Sequence, residues 1–295
     1  MKRTLYVLTG PTAVGKTEQS IQWAIERGAE ILSCDSLLIY RGMDIGTAKP
    51  SKVERSLVPH HGIDLVDCEV PFSVKAFQDY AWEKVQEIHQ RGKEVLITGG
   101  SGFYLKSFFA PVVDAVAVSQ KVRTEVQVLE KQGISSLLDS LKSVNPEGLG
   151  NLDLQNPRRV AKALERCWGS GKSLLELQAT FAEQKSPFAC YQMEATLLQR
   201  SRESLHKRAE QRIDEMWKNG LVEEVKQLKT LGIENNPSAS GAIGYREVLA
   251  YLKEGNPLTA EQVKEQILIH TRQLIRKQET WFRKQIPFNQ KIDLD

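Results

Sequence analysis

The chain lacks the cysteine pairs from which a disulfide framework or a zinc finger is built. Its four cysteines, Cys34, Cys68, Cys167 and Cys190, lie far apart, with no CxxC pair and no histidine at finger-type spacing. That excludes a recognisable zinc motif and fits unpaired thiols in a reducing compartment. Long apolar runs are missing too. The stretch Leu5–Leu8 is short for a signal peptide, and no segment approaches the roughly 20 apolar residues of a membrane span. The expectation is a cytoplasmic protein with no membrane partner. Nor is there an excess of one charge: 40 Lys and Arg stand against 37 Asp and Glu, a net +3. A nucleic-acid partner therefore has to show itself locally rather than in total charge. No internal repeat or low-complexity tract is visible. What remains is ordinary globular composition, 41% hydrophobic and 26% charged over 295 residues, enough for one large domain or two modest ones.

Strand–helix alternation organises the first hundred residues. Residues 4–9 (TLYVLT) are β-prone and apolar on both faces, as a strand buried in a parallel sheet should be. A glycine loop follows, then an amphipathic helix over about 17–27 stopped by Gly28. Residues 30–34 read as a second strand ending at Asp35, and residues 94–98 (EVLIT) as a third ending at Gly99-Gly100-Ser101-Gly102. This pattern predicts a doubly wound α/β fold: a P-loop NTPase-like three-layer core around a parallel sheet. Ligands of such sheets bind beyond the carboxyl ends of the strands, where the glycine loop, Asp35 and Ser101 all fall. From about 115 to 195 the chain turns helix-rich, with breakers at Asn145-Pro146, Asn156-Pro157 and Ser186-Pro187. The predicted division is a core of residues 1–114 and 196–295 and a helical insertion domain over 115–195. The returning segment reads as a long helix ending near Gly232, a glycine-containing loop at 241–244, and a final helix over about 260–284.

Gly10-Pro11-Thr12-Ala13-Val14-Gly15-Lys16-Thr17 matches GxxxxGKT between a strand and a helix. The backbone N–H groups of such a loop, with the helix N-terminus behind them, cradle phosphate oxygens. Lys16 adds a cation for the terminal phosphate, and Thr17 is placed to ligate Mg²⁺. Alone the motif suggests nucleotide or ATP binding and phosphoryl transfer. The third strand, however, ends without the acid that usually holds Mg²⁺ in P-loop ATPases. Asp35 is the best-placed carboxylate, and three readings of it stand: a general base, a group bonded to the waters around the metal, or a cap for the turn or helix that follows. Ser101 is likewise either a helix N-cap or a hydroxyl facing ligand.

Read in order, GPTAVGKT (10–17), CDSLLIYRGMDIGTAKP (34–50), PHHGID (59–64), GGSGFYLK (99–106), NPRRVAKALE (156–165), AIGYRE (242–247) and TRQLIRKQETWFR (271–283) resemble the tRNA dimethylallyltransferases, also called tRNA isopentenyltransferases. The resemblance covers nearly the whole chain and is weakest at about 111–150. It implies transfer of a dimethylallyl group from dimethylallyl diphosphate to N6 of the adenosine immediately 3′ of the anticodon, in tRNAs reading codons that begin with U. An allylic diphosphate leaves once its charge is neutralised, so Lys16, the loop amides and Mg²⁺ on Thr17 become a leaving-group clamp. The resemblance assigns catalysis to Asp35, Ser101 and Arg212, with Asp35 as the base at N6. Ser101 stands where the family more often has Thr. Arg208 lies one turn before Arg212 on the same face.

By the same resemblance, tRNA contacts fall on Asp35, Ser36, Leu37, Leu38, Ser101, Arg123, Arg158, Arg159, Val160, Ala161 and Lys162, with the insertion domain gripping the RNA. Local charge agrees: residues 156–172 hold Arg158, Arg159, Lys162, Arg166 and Lys172 against the single acid Glu165. On the last helix Arg272, Arg276 and Arg283 project within about 40° of one another, opposite an expected apolar stripe of Ile267, Leu274 and Trp281. Such stripes are either solvated faces or phosphate contacts. Asn156 departs from the family pattern, which more often has an acid there; a helix-capping residue would lose little by the change. A target base must leave its stack to reach a phosphate cleft, so base flipping is the implied strategy. The family resemblance also favours a monomer. Three other functions fit parts of the pattern: prenylation of free AMP, ADP or ATP, a small-molecule kinase, and a nucleotide-dependent RNA-binding switch. The helical insertion and basic last helix argue against the first, and the 34–50 segment argues against the second. The third would not need Asp35 as a base.

Overall fold

The computed structural model describes residues 2–295 and resolves into two compact units, the described residues through Val112 with Ser186–Asp295, and Val113–Lys185. The first unit opens with β1 (Thr4–Thr9), α1 (Lys16–Arg27), β2 (Glu30–Ser33), α2 (Lys52–Leu57), β3 (His60–His61), α3 (Val74–Gln90), β4 (Val95–Gly99) and α4 (Gly102–Phe109). The second holds α5 (Gln120–Gln132), α6 (Ile134–Ser143), α7 (Pro157–Ser170) and α8 (Leu174–Ala182). The chain then re-enters the first unit through β5 (Gln192–Gln199), α9 (Arg202–Lys218), α10 (Leu221–Thr230), α11 (Pro237–Ser240), α12 (Tyr245–Tyr251), α13 (Ala260–Gln285) and β6 (Gln290–Asp293).

The six strands run parallel in the order β3-β2-β4-β1-β5-β6. Alternation along each strand builds the three layers. In β1, Leu5 and Val7 join Phe77, Ala81, Val85 and Ile88 of α3 on one face. Leu8 joins Ile21 and Ala24 of α1 on the other. β4 divides the same way, Val95 and Ile97 against Leu96. Two-sided burial is what makes these strands read as continuous apolar runs. A separate helical core within this unit gathers Ile39, Tyr40 and Met43 with Leu221, Val225 and Tyr245. No described helix is long and apolar enough to cross a membrane.

Three expectations need correction. Residues 186–195, expected in the insertion, belong to the sheet unit, because Gln192–Leu197 pair with β1. The long helix expected from about 196 is instead β5 followed by α9 and α10, separated at Asn219-Gly220, where Gly220 takes φ +96°. The buried line of α13 runs through Val263, Ile267, Ile275 and Phe282, while Leu274 and Trp281 are half-buried. Trp281 packs over Gly102, where a Cβ would come within 2.9 Å of its ring.

The second unit has its own core of Val126, Leu137, Leu141, Val160, Leu164 and Leu177. Asn145 anchors it with buried bonds, donating to the Leu141 carbonyl at 2.7 Å and accepting from the Leu174 N–H at 2.6 Å. All four cysteines are free, and only Cys190 is exposed.

Candidate active site

Strand register brings three loops together. Thr9 of β1 lies beside Gly99 of β4, and Thr98 beside Ser33 of β2. The glycine loop, the Gly100–Ser101 turn and Cys34–Asp35 therefore leave adjacent strand ends. Gly99 is required by close approach: a Cβ there would lie 2.1 Å from the Cys34 carbonyl oxygen. The Cys34 amide donates to Thr98 O at 2.6 Å, and the Thr9 hydroxyl to Gly99 O at 2.6 Å, locking the three ends. Burial raises the Cys34 thiol well above its usual range and keeps it uncharged.

The glycine loop is fixed from outside as well as by its own turn. Arg208 Nε donates to Ala13 O at 2.8 Å, and Arg200 Nε to Val14 O at 3.0 Å. These bonds restrain a loop in which Ala13 sits at φ +66°, a sparsely populated region for a non-glycine residue. Lys16 Nζ donates to Gly10 O at 3.0 Å and Pro11 O at 2.9 Å. Its pKa is lowered to about 8, first by loss of solvent; the Asp35 carboxylate opposes the shift and the Arg212 guanidinium adds to it. Thr17, the metal-ligating candidate, is half-buried in the first turn of α1.

Asp35 is half-buried, and desolvation lifts its pKa above the ordinary carboxylate value. The Leu37 amide, Lys16 and Arg212 pull the other way. Asp35 Oδ1 accepts the Leu37 N–H at 3.0 Å, so the capping expectation holds for one oxygen while the carboxylate still faces two cations. A carboxylate with a raised pKa is a better proton acceptor than one tightly ion-paired.

Arg212 is not a solvated surface arginine. It is half-buried, with Nη2 donating to Thr47 O at 3.0 Å and Nη1 at 3.4 Å from the Thr12 hydroxyl. It thus joins the glycine loop to the 44–49 loop, whose shape depends on two buried charges. Glu224 accepts the amides of Asp44, Ile45 and Gly46 at 3.0, 2.7 and 3.1 Å, and the Tyr245 hydroxyl at 2.6 Å. Lys49 donates to Tyr40 O at 2.8 Å and Asp64 Oδ1 at 2.6 Å. These anchors explain why GTAKP and GYRE belong to one motif set, although nothing in either string announced the contact.

Ser101 occupies the N-cap position of α4 but makes no side-chain capping bond. Its Oγ accepts the Ser36 N–H at 2.8 Å and lies 3.1 Å from Ser36 Oγ. The hydroxyl therefore sits beside Asp35 and Ser36, with Leu37 and Leu38 half-buried just beyond.

The remaining candidates lie in the second unit. Arg123, Arg158, Arg159 and Lys162 are exposed. Val160 and Ala161 are not: both side chains are buried in that unit's core, which removes them as side-chain contacts to RNA. Arg166 is half-buried and paired with Asp114, so it too leaves the free basic face. Asn156 caps α7, accepting the Arg159 N–H at 3.2 Å. On α13, Arg276 and Arg283 are exposed, whereas Arg272 is half-buried toward α9. There it joins burial in lowering the pKa of His206.

A family model described as IPP transferase matches residues 38–285. A tRNA dimethylallyltransferase of Opitutus terrae is 49% identical over 292 residues, covering 99% of this chain and 94% of its own. One from Clostridioides difficile is 39% identical, covering 96% and 89%. Among solved structures, a full-length tRNA isopentenylpyrophosphate transferase of Bacillus halodurans superposes with TM-score 0.70 at 34% identity, over 100% of this chain and 92% of that one. A eukaryotic dimethylallyltransferase acting on tRNA gives TM-score 0.83 at 27% identity, over 99% and 74%. The glycine loop and Asp35 lie outside the family-model match, but the relatives span them, and the match itself takes in the 44–49 loop, Ser101, Arg212 and all of α13: the chain belongs to the IPP transferase family.

Proposed function

We propose that this protein transfers the dimethylallyl group of dimethylallyl diphosphate to N6 of the adenosine 3′-adjacent to the anticodon, in tRNAs that read codons beginning with U. The observation that carries the reading is the convergence of three strand ends, which brings Asp35 to the glycine loop, where the charges of Lys16 and Arg212 act on its carboxylate. The N6 lone pair attacks C1 of the allyl group, and the C1–O bond breaks with its electron pair leaving on the diphosphate. The N6 proton passes to the Asp35 carboxylate. Loop amides, the N-terminus of α1 and Lys16 meet the charge that develops on the departing oxygen. Arg212 braces Thr12 and Thr47, keeping the glycine loop and the 44–49 loop in register around the diphosphate. Ser101 holds the Ser36 amide and so fixes the wall against which the flipped base rests.

Mg²⁺ fits this donor set. No cluster of three or more His, Cys, Asp or Glu able to hold a metal exists among the described residues. Mg²⁺, however, commonly takes one or two protein oxygens and completes its shell with water and phosphate. Thr17 would hold it, and its chemistry there is neutralisation of diphosphate charge. The exposed Arg123, Arg158, Arg159 and Lys162 supply the RNA grip of the helical unit. We assign the enzyme to the cytoplasm as a monomer; light scattering of the purified chain checks the oligomeric state.

The deciding assay supplies labelled dimethylallyl diphosphate and Mg²⁺ with unmodified tRNA, AMP or ATP. Label on tRNA is the expected result. Label on AMP or ATP alone would overturn the RNA assignment, and ATP hydrolysis without prenyl transfer would overturn both prenyltransferase readings.

A further inference from the structure

Gln278 lies half-buried on α13, in the segment whose arginines form the basic face. Its side chain points the other way. Oε1 accepts the Thr12 N–H of the glycine loop at 2.8 Å, and Nε2 donates to the Gly100 carbonyl at 3.0 Å. One carboxamide thus joins two loops that are far apart in sequence. Gly100 admits it by lacking a side chain: a Cβ there would stand 2.8 Å from Gln278 Nε2 and 3.8 Å from Lys16 Nζ.

Past Gly100 the connection continues. The Ser101 amide lies 3.3 Å from Cys34 O, and Ser101 Oγ accepts the Ser36 N–H at 2.8 Å. A path of hydrogen bonds therefore runs from Thr12 through Gln278 and the Gly100–Ser101 turn to the residues flanking Asp35. We infer that Gln278 is a positioning residue that sets the spacing between the two substrates, tying the loop for the diphosphate donor to the loop for the adenosine acceptor. The inference rests on the prenyl-transfer reading above.

The chemistry of the side chain matches the task. A carboxamide donates and accepts at once; an ionised carboxylate accepts only. Glutamate at this position would keep the Thr12 bond, lose the Gly100 bond and set a negative charge near Lys16. The helix itself does not need the bridge, because Val263, Ile267, Ile275 and Phe282 already bury it. Removing the amide should therefore loosen the loops while α13 stays docked.

The test uses the full chain with dimethylallyl diphosphate and an unmodified anticodon stem-loop. Gln278→Ala should lower kcat about 10- to 100-fold, the scale of a reactant displaced by roughly 1 Å. KM for each substrate should stay within about threefold, and the melting temperature within about 2 °C, as expected of an effect confined to positioning. Gln278→Glu should lose nearly as much. Gly100→Ala, whose new methyl displaces the amide, should match Gln278→Ala, and the double variant should be no worse than either single change. Unchanged kcat, a KM rise for the diphosphate alone, or additive losses would each overturn the inference. Amide hydrogen exchange in peptides spanning 10–17 and 99–106 is independent of the reaction: Gln278→Ala should speed both together. Should the wild-type chain transfer no prenyl group at all, the functional reading falls. Exchange then still decides the bridge, with both loops loosening for it and either loop unaffected against it.

Discussion

Lys16 and Arg212 differ from Arg158, Arg159 and Lys162 in everything except charge. The first pair are half-buried, and each donates to backbone carbonyls: Lys16 to Gly10 and Pro11, Arg212 to Thr47. The second set stand in solvent, held at most by an ion pair such as Arg159–Asp153 at 3.4 Å or Lys162–Glu165 at 2.6 Å. The exposed Arg159–Asp153 pair contributes little to stability, whereas Lys162 meets a buried carboxylate in Glu165. The difference suits two tasks. A leaving diphosphate needs cations fixed before the reaction, in a site where water does not screen them. A polyanionic RNA needs cations free to displace its counterions. Mutations should therefore act on chemistry in the sheet unit and on salt-dependent affinity in the helical unit.

The largest effect is expected at Asp35. Asp35→Asn retains an oxygen for the Leu37 amide but cannot take the N6 proton as a carboxylate can. Its single-turnover rate should fall about 10²- to 10⁴-fold, the range for loss of a general base. tRNA affinity should change less than threefold by filter binding. An equal loss in affinity and rate would remove Asp35 from the role of base.

Glu224→Ala comes next, since it strips partners from three backbone amides and the Tyr245 hydroxyl at once. Charge-assisted hydrogen bonds contribute about 1.5–3 kcal/mol each and are not additive, so a loss of about 3 kcal/mol in urea unfolding is expected. Activity should fall with it, because the 44–49 loop carries the Thr47 carbonyl that orients Arg212. A stable variant with intact turnover would show that the loop keeps its shape without this anchor.

Titration separates the two regions again. Lys16 is charged below its pKa of about 8 and neutral above it. kcat/KM for the diphosphate should therefore fall about tenfold per unit as pH rises beyond that point. Asp35 must be ionised, and its pKa is raised, so the acid limb should lie above the ordinary carboxylate value of 3.8. Asp35→Asn should abolish the acid limb and move the basic one to lower pH, because the carboxylate that opposes the fall in the Lys16 pKa is gone. Binding of tRNA through Arg158 and Arg159 should show neither limb, because guanidinium stays charged throughout.

The parts of this comparison differ in how far the residues foretold them. β1, β4, α1 and α13 follow from runs that bury two faces or one helical stripe. β5 (QMEATLLQ) mixes Gln, Glu and Thr with helix-forming Leu and Met, so its strand state comes from pairing with β1 rather than from its own pattern. β6 lies at the sheet edge with mostly exposed residues and carries no pattern at all. In the site, the glycine loop and Asp35 are legible because their chemistry is local. Ser101 bonds a residue 65 positions away and Gln278 one 266 away, and no local signature reports contacts that only the folded sheet creates. Val160 and Ala161 err the other way: they share a basic string with Arg158 and Arg159, but helical periodicity turns them inward.

Arg158→Ala and Arg159→Ala should each raise KM for tRNA about three- to tenfold while leaving kcat within twofold. Each should also lower the magnitude of the salt slope of log Kd by about one. Loss of turnover without a change in salt slope would place these residues outside the RNA contact.

The smallest effect, and the sharpest use of the contrast, is expected at Asn156. It caps α7 by accepting the Arg159 N–H, in the same helical turn that carries the exposed Arg158 and Arg159. Asn156→Asp keeps the cap and adds a negative charge at the helix N-terminus, a change worth about 0.3–1 kcal/mol of stability. The same charge weakens the local field for phosphate, so KM for tRNA should rise by less than about threefold at low salt. That rise should vanish at high salt, where a charge in solvent is screened within a few ångströms. Asn156→Ala should do the reverse, costing about 1 kcal/mol of cap energy while leaving the RNA field unchanged. If both variants shift tRNA affinity equally and independently of salt, Asn156 acts through the geometry of α7 rather than through charge. The helical unit would then position its cations as the sheet unit does.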